Sequence, residues 1–291
     1  MNSSMRQKGS KTDVITIALT GWSDHELIQR DRSRKLEDYA SHFPVVELDT
    51  SFYAIPSRTN ILNWIDKTPE SFTFFPKAFN MMTLHKPFQP DFSRMDDVFD
   101  AYLDAFSPMI EQNRIKSFLF QFPPYFDCTR KHVNYLKYVR SHMRDLPVAV
   151  EFRNQSWFSE NNQERTLELL KLLEFSNVIV DQPQTPNNSV PKVIRSTHSR
   201  LSVLRLHGRN YEGWLGENVK DWRAERTLYN YSDEELMEFK EIIDQLSKQS
   251  MEVCVIFNNN SGGHAAQNAK TLQKLLNLSF DYLGPQQLDL F

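Results

Sequence analysis

Ser202-Val203-Leu204-Arg205-Leu206-His207-Gly208-Arg209 runs a short β-prone segment straight into a cluster of charged and polar side chains. The arrangement recurs about every 30 residues: Glu47-Leu48-Asp49-Thr50, Phe75-Pro76-Lys77, Gln121-Phe122-Pro123, Glu151-Phe152-Arg153, Val180-Asp181 and Phe257-Asn258-Asn259-Asn260 each close an apolar run. These runs predict eight strands, at Val14 to Thr20, Val45 to Thr50, Phe72 to Lys77, Ser117 to Phe122, Val148 to Phe152, Val178 to Asp181, Ser202 to His207 and Glu252 to Asn258. They are near-continuously apolar and rich in Val, Ile and Phe, as parallel strands covered on both faces should be.

Helical periodicity fills the intervals, over Arg34 to His42, Thr59 to Lys67, Met95 to Asn113, Arg130 to Arg144, Glu164 to Glu174, Asp233 to Lys248 and Ala265 to Leu276. Ser232 followed by Glu235 has capping-box spacing before Leu236, Phe239, Ile242, Ile243 and Leu246, which recur at helical intervals. Eight strands alternating with seven helices predict an α/β fold, a single (β/α)8 TIM-like barrel over residues 14–280. Pro183, Pro186 and Pro191 forbid a regular helix between the sixth and seventh strands, which predicts an irregular loop there. Residues 1–13 are expected to form a disordered tail and residues 281–291 a C-terminal tail.

A formal net charge of −3 and a pI near 6.3 leave no global basic footprint, so nucleic acid is not the favoured partner. Cys128 and Cys254 are the two cysteines and have no Cys-x-x-Cys spacing, which reads as a reducing cytoplasm. No run approaches the ~20 apolar residues of a membrane helix, and no membrane partner is expected. The chain holds eight glycines in neither a G-x-G-x-x-G nor a Walker pattern, so there is no nucleotide-cofactor motif. That absence also argues against an open doubly wound sheet.

Alternate residues of a strand share a face, so Glu47 and Asp49 point together, as do Glu151 with Arg153, Arg205 with His207 and Arg209, and Asn258 with Asn260. If Leu48, Phe152, Leu206 and Phe257 face the surrounding helices, the polar sets face the barrel axis or its mouth. Buried charges of this number must be paired or solvated. They can do so merely by neutralising one another, but convergence at the C-terminal ends of the strands is the arrangement of a ligand site.

His207 is the candidate for proton transfer, with Glu47, Glu151 and Asp181 as partner acids or bases. Lys77, Arg153, Arg205 and Arg209 are candidates for gripping an anion. Gln121, Asp49, Asn258 and Asn259 would add polar contacts, and Tyr53 and Trp157 belong to a set of aromatic residues that follow the strands and either wall the pocket or stack on a ligand. The carboxylates and imidazole also suit a divalent metal, against which stand the interleaved Arg and Lys and the lack of a His-x-His or His-Glu-x-x-His spacing.

Thr20-Gly21-Trp22, Glu47 to Tyr53 with Pro56, Phe74 to Lys77 with Thr83-Leu84-His85, Phe120 to Pro124, Glu151-Phe152-Arg153 with Ser156-Trp157, Asp181-Gln182-Pro183, Arg205 to Arg209 and Phe257-Asn258-Asn259 through Gly263, Asn268 and Ala269 together resemble the YecE-like family, filed as domain of unknown function 72. The resemblance runs from about Thr16 to Leu276 and implies a bacterial TIM-like barrel, without an established reaction to transfer. Asp49 stands where that family often has Asn, and Asn154 where it often has His.

The leading expectation is a cytoplasmic enzyme performing acid–base chemistry on a small anionic substrate, with phosphorylated compounds among the candidates. A metal-assisted phosphodiesterase or sugar isomerase, resembling the endonuclease IV and xylose-isomerase barrels, is the second reading and rests on fold analogy. A non-catalytic ligand- or nucleic-acid-binding module is the third.

Overall fold

Eight parallel strands form one sheet in the order β3-β2-β1-β8-β7-β6-β5-β4. They are β1 Val14–Thr20, β2 Val45–Leu48, β3 Thr73–Pro76, β4 Phe118–Gln121, β5 Val148–Glu151, β6 Phe175–Asp181, β7 Leu201–Leu206 and β8 Glu252–Phe257. The structure, a computed structural model, describes residues 14–87, 92–186, 189–216 and 221–285. The expected tail at residues 1–13 and the last part of the expected C-terminal tail, 286–291, lie outside the described residues.

The two end strands meet through parallel bridges, Phe74 with Ile115 and Lys77 with Leu119, which bring the sheet round into a nearly closed barrel. Pro76 explains why that seam is thin. Phe74 N–H donates to Arg114 O at 2.7 Å and Ala78 N–H donates to Leu119 O at 2.8 Å, whereas Pro76 between them has no N–H to give.

The helices are α1 Lys35–Ala40, α2 Arg58–Asp66, α3 Met95–Glu111, α4 Arg130–Met143, α5 Gln163–Leu172, α6 Tyr211–Leu215, α7 Trp222–Arg226, α8 Asp233–Ser247 and α9 His264–Leu275. Seven occupy the intervals that apolar periodicity predicts; α6 and α7, both in the β7–α8 connection, are too short to carry a periodic signal. The capping box opens α8: Ser232 Oγ accepts from Glu235 N–H at 3.2 Å and Glu235 Oε2 accepts from Ser232 N–H at 2.9 Å. No helix of the described residues is long and apolar enough to cross a membrane.

Leu48, Phe152, Leu206 and Phe257 are at most 1% exposed and face the helices, as the alternation requires. Phe122, Phe126, Phe152 and Trp157 form one stack there, with the Phe152 and Trp157 rings 4.3 Å apart. The β6–β7 link contains no regular element among its described residues. It is pinned to the barrel nonetheless: Thr197 Oγ1 accepts from Asn177 N–H and donates to Phe175 O. That clasp extends β6 backwards to Phe175, through Ser176 and Asn177, whose polarity hides the strand's start in the sequence. At the C-terminus, Gly284 N–H donates to Ala40 O and Ser71 Oγ donates to Tyr282 O.

Candidate functional site

Strand register decides which side chains reach the axis. Gln121 of β4 pairs with Glu151 of β5, Val180 of β6 with Arg205 of β7, and Arg205 in turn with Ile256 of β8. These positions point inward, and continuing the alternation brings Arg153, Gln182, His207 and Asn258 in above them.

Arg205 is the hub. Its Nε and Nη2 donate to Glu47 Oε2 and Oε1 at 2.7 and 2.6 Å, a bidentate fork, and Nη1 donates to Glu151 Oε2 at 2.9 Å and Gln121 Oε1 at 3.2 Å. Arg153 Nη2 lies 2.6 Å from Glu151 Oε1, and Arg153 Nη1 donates to Gln182 Oε1 at 3.1 Å. Glu47, Glu151, Arg205 and His207 are at most 1% exposed and Arg153 4%. Burial works against the Glu151 carboxylate, but Arg153 and Arg205 outweigh it and hold Glu151 well below the usual carboxylate range. Burial likewise opposes the Arg205 charge, and Glu47 and Glu151 outweigh it, so that pKa is raised.

His207 is enclosed within this network. Its Nε2 lies 3.1 Å from Arg153 Nη2, 3.2 Å from Glu151 Oε1 and 3.4 Å from Arg205 Nη1, and its Nδ1 lies 2.8 Å from the side-chain amide of Asn258. Burial, then Arg153, holds the ring well below its ordinary value, so it is neutral.

Above the hub the charge balance shifts. Lys77 Nζ bonds Asp49 Oδ1 at 3.0 Å and lies 4.6 Å above the Phe52 ring. His85 packs edge-on to Phe52 at 4.9 Å, and burial, then Lys77 and Arg153, pushes it down to about 4. Trp214 of α6 lies beneath the guanidinium of Arg153 at 5.2 Å and that of Arg226 at 4.6 Å. Gly216, at φ +71°, lets the Trp222 ring dock where a Cβ would lie 2.5 Å from it, which seats α7 and hence Arg226.

Arg226 makes no hydrogen bond or ion pair among the described residues, and burial, then Arg153 and Arg205, pushes its pKa down to about 9. Arg153 Nε is also buried without a partner among the described residues. Lys77, Arg153, Arg205 and Arg226 thus outnumber Asp49, Glu47 and Glu151 by one among the described side chains.

The remaining predicted positions lie elsewhere. Asp181 pairs in register with Leu206 and so faces the helices, where it takes Arg209 Nε and Nη2 at 2.9 Å, the Tyr231 hydroxyl at 3.0 Å and Lys192 Nζ. Arg209 also reaches Glu235 and Glu238 of α8. Gly208, at φ +86°, ends the alternation after His207 and turns Arg209 outward. Asn259 is buried and bonds Tyr229 O and Asn268, bracing the loop before α8. Trp157 belongs to the Phe126–Phe152 stack, donating Nε1–H to Phe126 O, and Tyr53 is 51% exposed beside Phe52.

Strand-end alternation does not single out Arg226, and His85 and Gln182 enter the sequence analysis only within the motifs Thr83-Leu84-His85 and Asp181-Gln182-Pro183. Gln182 carried a usable signal, being two residues beyond inward-facing Val180, whereas Arg226 follows no strand.

The turn at Gly208 yields a direct expectation. A Cβ there would lie 2.6 Å from Tyr229 Cβ. Gly208→Ala should therefore cost more than the ~1–2 kcal/mol of a left-handed backbone alone. Urea unfolding measures it, and a cost below 1 kcal/mol would show the turn is free to relax.

The profile of the family described as "Protein of unknown function DUF72" matches residues 16–288. The chain is 43% identical over 282 residues to UPF0759 protein YunF of Bacillus subtilis, covering 96% of this chain and all of the relative. It is 30% identical over 154 residues to UPF0759 protein YecE of Escherichia coli, covering 53% of this chain and 54% of that one. The crystal structure of a DUF72 family protein from Enterococcus faecalis superposes with a TM-score of 0.90 at 41% identity, covering 95% of this chain and all of that one. With the profile spanning the barrel and a relative matched along its whole length, this chain belongs to the DUF72 family, the YecE-like barrels.

Proposed function

We propose that this barrel is an enzyme that binds a small anionic, phosphorylated substrate at its C-terminal mouth and acts on it by acid–base chemistry. The observation that carries the reading is Arg226, a guanidinium held beside Arg153 and Arg205 with no carboxylate of its own among the described residues. A surplus of positive charge raises the free energy of the empty site, and an incoming anion removes that cost. The unpartnered Arg153 Nε and the Lys77 ammonium supply further donors.

The buried carboxylates have another part in this reading. Glu47 and Glu151 are taken up by guanidinium groups, so they hold Arg205 and Arg153 rigid. His207, wholly enclosed, fixes Arg153 and is a positioning residue. His85 is partly exposed and neutral in the free protein. An anion that offsets Lys77 and Arg153 raises its pKa toward 6.5, where an imidazole can accept and return a proton near neutrality.

Inorganic phosphate tests both points. It should raise the melting temperature at low ionic strength, less so in high salt, since ligands that bind only the native state stabilise it. The His85 imidazole, followed by NMR, should titrate near 4 without phosphate and higher with it. The sign follows from the depressed folded value: the contribution of His85 to stability is complete above pH 6.5 and is lost as pH falls toward 4, and phosphate should lessen that loss. A melting temperature and a His85 titration both indifferent to phosphate would overturn the reading.

A further inference from the structure

Beside the mouth lies a cavity of about 750 Å³ lined by Asp181, Gln182, Gln184, Pro183, Pro191, Lys192, Arg209 and Tyr211. Two features join it to the cationic site. Gln182 lines the cavity while its amide oxygen accepts from Arg153 Nη1, so one side chain touches both. Helix α6 borders both, with Tyr211 on the cavity and Trp214, three residues on, against Arg153 and His207.

The chemistry of the two spaces differs. Arg209 and Lys192 in the cavity wall are matched by Asp181, Glu235 and Glu238, so the surplus positive charge of the mouth does not extend here. Asp181 has spent its hydrogen-bonding capacity on Arg209, Tyr231 and Lys192, and Arg209 all but one Nη1 proton on Asp181 and α8. Beside that proton, what remains for a ligand is the Tyr211 hydroxyl, unpartnered among the described residues, the further protons of Lys192, the Gln184 amide oxygen, and the apolar faces of Pro183, Pro191 and the Tyr211 ring. A polyhydroxylated ring matches that set, with C–H faces for the prolines and tyrosine and hydroxyls for the donors and acceptors around them.

We infer that the substrate is a sugar phosphate, its phosphate held at Arg153, Arg226 and Lys77 and its uncharged ring lodged against Tyr211 and the two prolines. The inference rests on the anion reading of the mouth and adds the identity of the part that is not charged.

Isothermal titration with inorganic phosphate, glucose 6-phosphate and ribose 5-phosphate tests it. At least one sugar phosphate should bind about ten-fold or more tighter than phosphate, and that ratio should fall toward one in Tyr211→Ala. Tyr211 is 44% exposed, so the fold should tolerate the change; Tyr211→Phe, which keeps the ring, should retain part of the ratio. Sugar phosphates binding no tighter than phosphate, or a ratio untouched in Tyr211→Ala, would overturn the ring subsite and leave the anion site standing. Failure of phosphate and both sugar phosphates to bind would overturn both.

Discussion

Arg205→Met should destabilise this protein by about 3–5 kcal/mol, the loss that follows when one partner of a buried ion network is removed and the others stay charged. The guanidinium joins Glu47 and Glu151 through three charge-assisted bonds of 2.6 to 2.9 Å, and neither carboxylate is exposed. In the variant Glu47 would keep no cation among its contacts, and Glu151 only Arg153. At roughly 2–4 °C per kcal/mol for domains of a few hundred residues, the melting temperature should fall by about 6–20 °C. Arg205→Lys should recover little, because a single ammonium cannot reproduce the fork.

The pH dependence of that deficit is diagnostic. In the native protein Glu151 lies below its unfolded value of 4.5, so its contribution is present above pH 4.5 and lost as pH falls through the folded value. Without Arg205, burial of Glu151 is opposed by less positive charge and that carboxylate takes up its proton at higher pH. The gap between variant and parent, measured by urea unfolding, should therefore narrow from pH 7 to pH 5. A gap under 1 kcal/mol at pH 7 would mean that the network does not brace the mouth.

The hub was legible because strand alternation is a local rule. Once Leu48, Phe152 and Leu206 are assigned to the helix side, Glu47, Glu151, Arg153, Arg205 and His207 follow to the axis, and parallel register brings them to two adjacent levels. The rule fails where the strand does. Gly208 takes a positive φ and sends Arg209 to α8, so three residues in nominal alternation divide between two networks.

Asp181 illustrates a different limit. Its carboxylate suggests chemistry, but Leu206 beside it in register fixes its face, and the plainer Gln182 is the side chain that reaches Arg153. Trp157 and Asn259 are candidates by residue type alone and lie in the core and a loop brace, which composition cannot distinguish from a pocket wall. Arg226 had no local signal. It comes to the mouth only because Trp222 docks on Gly216 and Trp214 lies beneath the guanidinium, contacts made by tertiary packing alone.

Arg226→Met should move binding and stability in opposite directions. Loss of a charge-assisted contact worth about 1.5–3 kcal/mol predicts a fall in phosphate affinity of roughly 10- to 150-fold. The empty protein should melt higher. Arg226 has a folded-state value of about 9 against 12.5 unfolded, so at neutral pH its charged form is disfavoured by the fold, first by burial and then by Arg153 and Arg205. Methionine keeps the apolar contact with Trp214 and Trp222 while removing that charge. A residue retained at a cost to the fold is the pattern expected of a binding group, whereas a structural arginine would lower the melting temperature when replaced. Thermal melts with and without phosphate separate the two: a lower melting temperature with unchanged phosphate affinity would make Arg226 a structural residue and remove the central support for the anion site.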